Sequence, residues 1–345
     1  MKYLKAPKSK AESIRKELIS QGVFDPKYPI VKESEFIFFP LKGTPKKLKF
    51  EIVEIEKEKR VVFPSSIREI LSSILTPYEL DEMVSSFDII GNIAIIEIPL
   101  PLQYREKEIG DAILKTHKSV KSVFKKLSAM EGEFRVRKLS LICGENNTLA
   151  TYKENGVTLK FDVSKVYFSV RNAFERKRVS SLVKNKENVL VMFAGVGPYC
   201  LVIANDHPSS QIVGIELNPD AITYFSENVK LNKFKNIQIE EGDVKSIIPQ
   251  KYQNWANRII MPLPKLSYEF LESAFIASKK GTIIHFYTIV PLENSFIEAQ
   301  KLFEKEASKF GIKFEVMDWR ITKSYSSKEV HIVLDLKIVA KNVII

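Results

Sequence analysis

The chain has 345 residues, of which 45% are hydrophobic, so it can form two or three domains with sizeable cores. The 53 lysines and arginines against 42 aspartates and glutamates give a net charge of +11. This favours a polyanionic partner such as nucleic acid, although a solubility charge or the lysine-rich composition of heat-adapted proteins would give the same excess.

The same composition argues against several classes of protein. With only 2 cysteines, far apart, and 4 scattered histidines, we expect neither a disulfide scaffold nor a metal site. No apolar run reaches the roughly 18 residues of a membrane helix, and no secretory signal is visible at the start. A cytoplasmic protein without a membrane span is therefore expected.

The first segment, residues 1–60, is predicted to be a small α+β domain. A helix with a basic face is expected over 9–19 and a strand over 35–40, followed by a turn around Gly43. The charged run 54–60 is interpreted either as a linker or as the exposed end of a strand.

Residues 61–155 are predicted to form a second α+β domain. The hydrophobic pattern indicates helices near 66–75, 77–84 and 105–117, and strands within 87–98 and 119–126.

In residues 156–345 strands and helices alternate, which is typical of a mainly parallel sheet covered on both faces. Strands are expected near 189–193, 211–216, 236–240, 257–262 and 282–287. Helices are expected near 172–183, 198–205, 219–231, 244–248, 267–278 and 293–310. Two strands with a short connection, 313–320 and 329–338, predict an antiparallel hairpin at the end.

An apolar strand runs directly into the turn Gly195-Val-Gly197, where the lack of side chains lets a ligand touch the backbone. The next strand ends at Glu216, whose carboxylate could accept both hydroxyls of a ribose. Together they predict a nucleoside cofactor. A nicotinamide dinucleotide is disfavoured, because Cys200 stands where that motif has its third glycine.

Further motifs carry a family resemblance. They are Val191-Met-Phe-Ala-Gly-Val-Gly-Pro-Tyr199, Glu216-Leu-Asn-Pro-Asp-Ala221, Gly242-Asp243, Met261-Pro-Leu-Pro-Lys265, Gly132-Glu-Phe-Arg-Val-Arg137, Gly144-Glu-Asn146, Tyr152-Lys-Glu-Asn-Gly156 and Lys165-Val-Tyr-Phe-Ser169. From residue 61 onward the chain thus resembles the archaeal and eukaryotic tRNA (guanine37-N1)-methyltransferases, whereas residues 1–60 match in layout more than in motif. The resemblance implies a class I, Rossmann-like methyltransferase domain over 156–345, preceded by two small α+β RNA-binding domains.

S-adenosylmethionine is the cofactor that the resemblance implies. Gly195 and Gly197 would admit its methionine part and ribose, and Glu216 would take the ribose hydroxyls. Asp243 would accept from the adenine amino group, with Val244 against the ring. The predicted cofactor-binding residues are Phe193, Gly195, Val196, Gly197, Glu216, Leu217, Asn218, Asp243, Val244 and Pro262. Two alternatives stay open: Glu216 could instead cap a helix, and Asp243 could be a turn residue.

Methylation of guanine N1 requires loss of its proton, which a nearby base and a cation near the carbonyl oxygen would assist. By resemblance, Glu175 is the general base and Arg135 the arginine that stabilises the oxygen. Without the resemblance, Glu175 would be a carboxylate favoured by the helix dipole, and Arg135 a solvated charge on a strand. The predicted substrate-binding residues are Tyr167, Arg171, Pro264 and Lys265. A half-buried strand aromatic is the alternative interpretation of Tyr167.

Two positions depart from the family pattern. Val191 replaces the usual acidic residue, and Pro262 replaces an asparagine, which removes a backbone donor and a side-chain amide. Proline at 262 resembles the archaeal branch that also methylates carbon C7 of a tricyclic wyosine intermediate, giving isowyosine. The chain is therefore predicted to be bifunctional.

The expected partner is tRNA, contacted at the anticodon loop and, through residues 1–60, at its outer corner; the chain is expected to be a monomer. Basic stretches that fit a bound RNA are 42–49, 118–126, 135–138, 171–184 and 323–328. One alternative is a transferase of the aminocarboxypropyl group of the same cofactor. Another is a non-catalytic RNA-binding protein with a relic cofactor fold.

Overall fold

The computed structural model describes residues 1–46, 49–58, 66–83, 87–127, 136 and 138–341. They form two compact units, Met1–Ile74 and Leu75–Ile345. No helix of the described residues is both long and apolar enough to cross a membrane. The division at 60 and 155 into three domains stays a prediction.

The first unit is built on a four-stranded sheet of order β2-β3-β1-β4. Its elements are β1 (Lys2–Pro7), α1 (Ala11–Ser20), β2 (Val31–Lys32), β3 (Phe36–Pro40), β4 (Ile52–Glu54) and α2 (Ile67–Leu71). The predicted helix and strand at 9–19 and 35–40 are confirmed as α1 and β3. Helix α1 buries Ala11, Ile14 and Leu18, the i, i+3, i+7 spacing of one helix face, in the core of this unit. Strand β1 was not predicted, because two buried neighbours interrupt its alternation.

The second unit begins with a sheet of order β5-β6-β7-β8. Its elements are α3 (Pro77–Glu82), β5 (Asp88–Ile90), β6 (Ile93–Ile96), α4 (Glu106–Thr116), β7 (Ser122–Lys126) and β8 (Leu139–Gly144). The predicted helices and strands of this region are confirmed. Strand β8 was not predicted, because its residues are almost all half-buried and give no alternating signal.

A seven-stranded sheet of order β13-β12-β11-β14-β15-β17-β16 forms the rest of this unit. Its strands are β11 (Asn188–Met192), β12 (Gln211–Glu216), β13 (Ile237–Glu241), β14 (Ala256–Met261), β15 (Ser278–Pro291), β16 (Ile312–Ser324) and β17 (Glu329–Lys341). Its helices are α5 (Ala173–Leu182), α6 (Pro198–Asp206), α7 (Pro219–Leu231), α8 (Val244–Lys251), α9 (Leu271–Ala277) and α10 (Ser295–Lys309). The first five strands in this order pair in parallel with their neighbours, and β17 pairs antiparallel with both β15 and β16. The doubly wound sheet and the terminal hairpin are thus confirmed.

A second hairpin, β9 (Leu149–Glu154) and β10 (Val157–Asp162), lies across residue 155. Strand β10 is tied to α7 by asparagine side chains: the Asn232 amide bonds both backbone groups of Thr158, and the Asn228 Oδ1 accepts from the Lys160 N–H at 2.7 Å. The hairpin also shares one apolar core with β5, β6 and α6. These contacts fix the start of segment 163–171, which leads to α5.

Candidate functional site

The turn after β11 leaves space against its backbone at Gly195. Phe193 and Gly195 both have a φ of 57°, and the turn ends with Gly197 at 85° as the N-cap of α6. A Cβ added at Gly195 would meet nothing nearer than the Tyr167 carbonyl oxygen at 4.0 Å. A ligand can therefore approach the backbone here, bounded by segment 163–171.

Gly197 is required for a different reason. A Cβ at this position would lie 2.2 Å from the Phe225 ring of α7, which is fully buried. The second glycine of the motif is thus demanded by packing between α6 and α7 and by its positive φ, whether or not a ligand binds. Val196, between the two glycines, is also fully buried, and its carbonyl accepts from the Asn228 side-chain amide.

Glu216 is held by three backbone donors. Its Oε2 accepts from the Gly195 N–H at 2.7 Å, and its Oε1 accepts from the N–H groups of Leu217 and Asn218 at 3.0 and 2.9 Å. The cap of α7 is Asn218, whose Oδ1 accepts from Asp220 and Ala221, so the alternative of Glu216 as the N-cap is wrong. A carboxylate has about four acceptor positions. One position thus remains for a ribose hydroxyl, and a second hydroxyl would have to displace a backbone donor.

Asp243 does cap a helix. It is the N-cap of α8, and its Oδ1 accepts from the Lys245 N–H at 2.8 Å, so its side chain caps a helix and not a turn. Its side chain is exposed, while Val244 packs into the main core with 3% exposure. Leu217 is 39% exposed beside Glu216 and offers an apolar surface to an adenine. The adenine contacts of all three residues stay predictions.

The residues that follow β14 lie beside the turn, on the side opposite to Glu216 at the end of β12. Pro262 and Pro264 are half-buried and Lys265 is exposed. Phe193 packs edge-to-face on Phe270, with ring centroids 4.8 Å apart. These residues therefore line up at the carboxyl end of the sheet, where doubly wound folds bind ligands.

Next to this sheet edge lies a cavity of about 240 Å³. Tyr167 and Arg171 line it, together with Asp88, Lys126 and residues 323–325 and 331 of the terminal hairpin. Arg171 donates from Nε to Asp88 Oδ1 at 2.8 Å and is still 58% exposed. Tyr167 lies in irregular backbone after β10, so its interpretation as a strand aromatic is wrong. The cavity brings two of the four predicted substrate residues together.

The segment that carries Tyr167 and Arg171 is fixed from behind by a buried ion pair. Arg176 donates to both oxygens of Glu154 at 2.5 Å and to the Ser169 carbonyl, with its guanidinium over the Phe168 ring. Both charged side chains are nearly inaccessible. Arg176 was expected within a basic RNA-binding stretch, and this is wrong because it faces inward.

Glu175 lies in the first turn of α5, as predicted, and is 7% exposed. Its Oε1 accepts from the Tyr287 hydroxyl at 2.6 Å and from Arg178 Nη2 at 2.7 Å, and its Oε2 accepts from Arg178 Nε at 2.9 Å. Burial raises the pKa of Tyr287 well above its ordinary value, so it stays a neutral donor. Arg135 lies outside the described residues, so its distance from Glu175 stays untested.

Glu175 belongs to a larger cluster that the sequence did not reveal. Arg178 also binds Asp335 of β17, Asp335 Oδ1 is 2.7 Å from His285 Nδ1, and Arg258 bridges His285 to Glu187. Burial lowers the pKa of His285 despite the raising effect of Asp335, so the ring is neutral. The tautomer follows: Nδ1–H donates to Asp335, and Nε2 accepts from Arg258. In the sequence, the only sign of this cluster is that charged residues alternate with apolar ones inside otherwise apolar strands.

Three family models match successive parts of the chain. They are a tRNA methyltransferase 5 N-terminal domain over residues 4–49, a TYW2 N-terminal domain over 67–148 and a TRM5/TYW2 methyltransferase domain over 150–317. The chain is similar to the tRNA (guanine(37)-N(1))-methyltransferase Trm5b of Pyrococcus abyssi, with 42% identity over 336 residues that cover 97% of this chain and 98% of the relative.

Solved structures give the same picture. The crystal structure of wild-type Trm5b from Pyrococcus abyssi matches with a TM-score of 0.79 at 41% identity, covering 99% of this chain and 100% of that one. The complex structure of aTrm5 and tRNALeu matches with a TM-score of 0.78 at 35% identity, covering 97% and 99%.

Proposed function

The chain belongs to the TRM5/TYW2 methyltransferase family, and from this premise we propose that it is an S-adenosylmethionine-dependent tRNA (guanine37-N1)-methyltransferase. The observation that carries the proposal is the open backbone at Gly195, hydrogen-bonded to Glu216 and bounded by the Tyr167 segment, which also lines the cavity. Cofactor turn and substrate cavity thus share one wall.

The residues present fit the cofactor. Gly195 leaves room for a ligand against its backbone, Glu216 keeps an acceptor position, and Leu217 offers an exposed apolar side chain. S-adenosylmethionine would supply a methyl group activated on a sulfonium. The chain's own task is then to hold the guanine and to remove the proton from its N1.

We assign these tasks to residues of α5 and the segment before it. Tyr167 would pack against the target base in the cavity, and Arg171 would leave Asp88 to bind a phosphate of the RNA. Glu175 would take the N1 proton on Oε2, where Arg178 is the one donor among the described residues. Arg135 would stabilise the negative charge on the carbonyl oxygen.

The target base must leave its stack in the RNA, which costs a few kcal/mol. Contacts between the protein and other parts of the RNA offset this cost. The net charge of +11 supports a polyanionic partner. We further propose that residues 1–60 contact the outer corner of the tRNA and that the protein acts as a monomer. Footprinting of bound tRNA and light scattering with and without tRNA test these two points.

The decisive experiment is incubation with methyl-labelled S-adenosylmethionine and a tRNA transcript, followed by mass spectrometry of the nucleosides. We expect 1-methylguanosine from the transcript with G37 and none from a matched transcript with A37. Glu175→Gln should lose most of the activity while it still binds the cofactor in calorimetry. An unmodified G37 transcript would contradict the proposal.

The same spectra separate the alternatives. An aminocarboxypropyl transferase would add a larger group than methyl, and a relic fold would bind no S-adenosylmethionine in calorimetry. The second methylation, predicted from Pro262, is tested with tRNA that carries the tricyclic wyosine intermediate. Restoring the family's asparagine, Pro262→Asn, should then suppress the second product and leave 1-methylguanosine in place.

A further inference from the structure

Arg178 connects Glu175 to a second carboxylate, Asp335, which lies on β17. Its guanidinium donates to both oxygens of Glu175 at 2.7 and 2.9 Å and to both oxygens of Asp335 at 2.5 and 3.2 Å. All three side chains are 9% exposed or less. Because one planar fork serves both acids, the position of Asp335 fixes the plane in which Glu175 is held.

We propose that Asp335 is a positioning residue for proton removal, acting on Glu175 through Arg178. This inference rests on the proposed function, since it assumes that Glu175 takes the guanine N1 proton. The step is balanced: the N1–H bond breaks, the proton passes to Glu175 Oε2, and the electron pair stays on the guanine. The bond that N1 then forms to the methyl carbon would replace the bond of that carbon to the sulfonium, whose electron pair would remain on sulfur in the departing thioether.

Acceptor geometry supports the role. Among the described residues, Oε1 of Glu175 receives two donors, Tyr287 and Arg178, whereas Oε2 receives only Arg178. A carboxylate offers about four acceptor positions, so the one that remains is on Oε2. Without Asp335 the guanidinium of Arg178 could rotate. The remaining acceptor position on Glu175 Oε2 would then no longer be held in one direction.

The charges of the cluster support it as well. Three carboxylates, Glu175, Asp335 and Glu187, face two guanidiniums, Arg178 and Arg258, around the neutral His285. Of the other groups that face Glu175, Tyr287 of β15 and Tyr199 of α6 are neutral, and Arg176 is neutralised by Glu154. Counted over the part of the chain that the structure describes, the cluster carries one excess negative charge in a buried place, which favours the uptake of one proton.

Asp335 itself is held ionised. Burial alone would raise its pKa, but the hydrogen bonds from His285 and Arg178 outweigh that effect and keep the pKa well below its usual range. Asp335 therefore contributes its negative charge at every pH at which the enzyme would be assayed. It does not itself take up the proton.

The test compares Asp335→Asn with Asp318→Asn. Asp318 lies opposite Asp335 on the neighbouring strand, is about half exposed and forms an ion pair with Arg320, so it is a matched control. In single turnover with G37 transcript, Asp335→Asn should lower the maximal rate about tenfold, with KM for tRNA and Kd for S-adenosylmethionine unchanged. The acidic limb of its pH–rate profile should move to lower pH, because a like charge is removed.

A second measurement needs no activity. The carbon-13 carboxyl signal of Glu175, assigned with Glu175→Gln, is followed in the cofactor-free protein during acid titration. Asp335→Asn should displace this signal, and Asp318→Asn should not. Asp335→Glu, which keeps the charge, should restore part of the rate.

The proposal is overturned if Asp335→Asn matches Asp318→Asn in both profile and carboxyl signal, or if its loss is confined to KM. If the wild-type protein makes no 1-methylguanosine, the proposed function fails, and the carboxyl signal still decides whether Asp335 acts on Glu175. Equal thermal midpoints of the two variants exclude misfolding as the cause of a lost rate.

Discussion

The cofactor turn and the Glu175 cluster are built by opposite means. In the turn, Glu216 binds backbone donors that are 21, 1 and 2 residues away along the chain. In the cluster, the partners are side chains 157 and 112 residues apart, from helix and strands of the same unit. Backbone donors are present whatever the sequence, whereas each cluster bond needs two particular side chains. Substitution of one turn residue should therefore weaken the turn only in part, whereas substitution of one cluster residue should disrupt the whole cluster.

The largest expected effect is a loss of stability, and it differs between the two glycines of the turn. Gly197→Ala should destabilise the fold by about 2–5 kcal/mol, from the strained φ and the overlap with Phe225. Gly195→Ala should cost only the strain, about 1–2 kcal/mol, because its Cβ enters open space. Urea unfolding of both variants measures the difference. Equal losses would show that packing does not distinguish these positions.

Next in size is the effect of Glu216 on cofactor affinity. Glu216→Ala should weaken S-adenosylmethionine binding on the order of 10–100-fold, since it removes an acceptor for the ribose and releases the Gly195 N–H. Glu216→Gln keeps one acceptor oxygen and should lose less than Glu216→Ala. Calorimetry gives both affinities. A loss of tRNA affinity without a loss of cofactor affinity would contradict the assignment.

A smaller effect concerns the cavity entrance. Arg171→Gln should weaken tRNA binding several-fold and reduce the salt dependence by about one phosphate contact. Asp88→Asn should do the opposite, because it removes the carboxylate that holds Arg171 at 2.8 Å. Filter binding over a range of salt concentrations measures both. Two variants that shift the affinity in the same direction would show that the ion pair does not compete with RNA.

The smallest effect is a pH dependence of stability from the cluster. Burial lowers the pKa of His285 below its ordinary value of 6.5, so protons bind the unfolded chain more tightly than the folded one. The thermal midpoint should therefore fall as the pH drops below about 6.5, and His285→Gln should flatten that slope. If the slope is the same in both proteins, the cluster is not its source.

The terminal hairpin shows how far sequence patterns reach and where they stop. Strands near 313–320 and 329–338 were expected from alternation, and the structure has them as β16 and β17. Their pattern could not show that Asp335 on β17 faces inward against Arg178, because a charged residue in a strand usually marks the solvated face. Arg178 of α5 was assigned to a basic surface because it stands in the basic stretch 171–184, although its side chain is 9% exposed.

The sequence by itself determined the parallel sheet, the glycine turn and the carboxylate at Glu216, since periodicity, glycine and strand-end spacing are local properties of the chain. Only the tertiary structure decided that Gly197 is needed for Phe225, that Asn218 rather than Glu216 caps α7, and that Glu175 shares Arg178 with Asp335. These contacts depend on which faces of distant elements meet, and packing sets that choice where no local pattern records it.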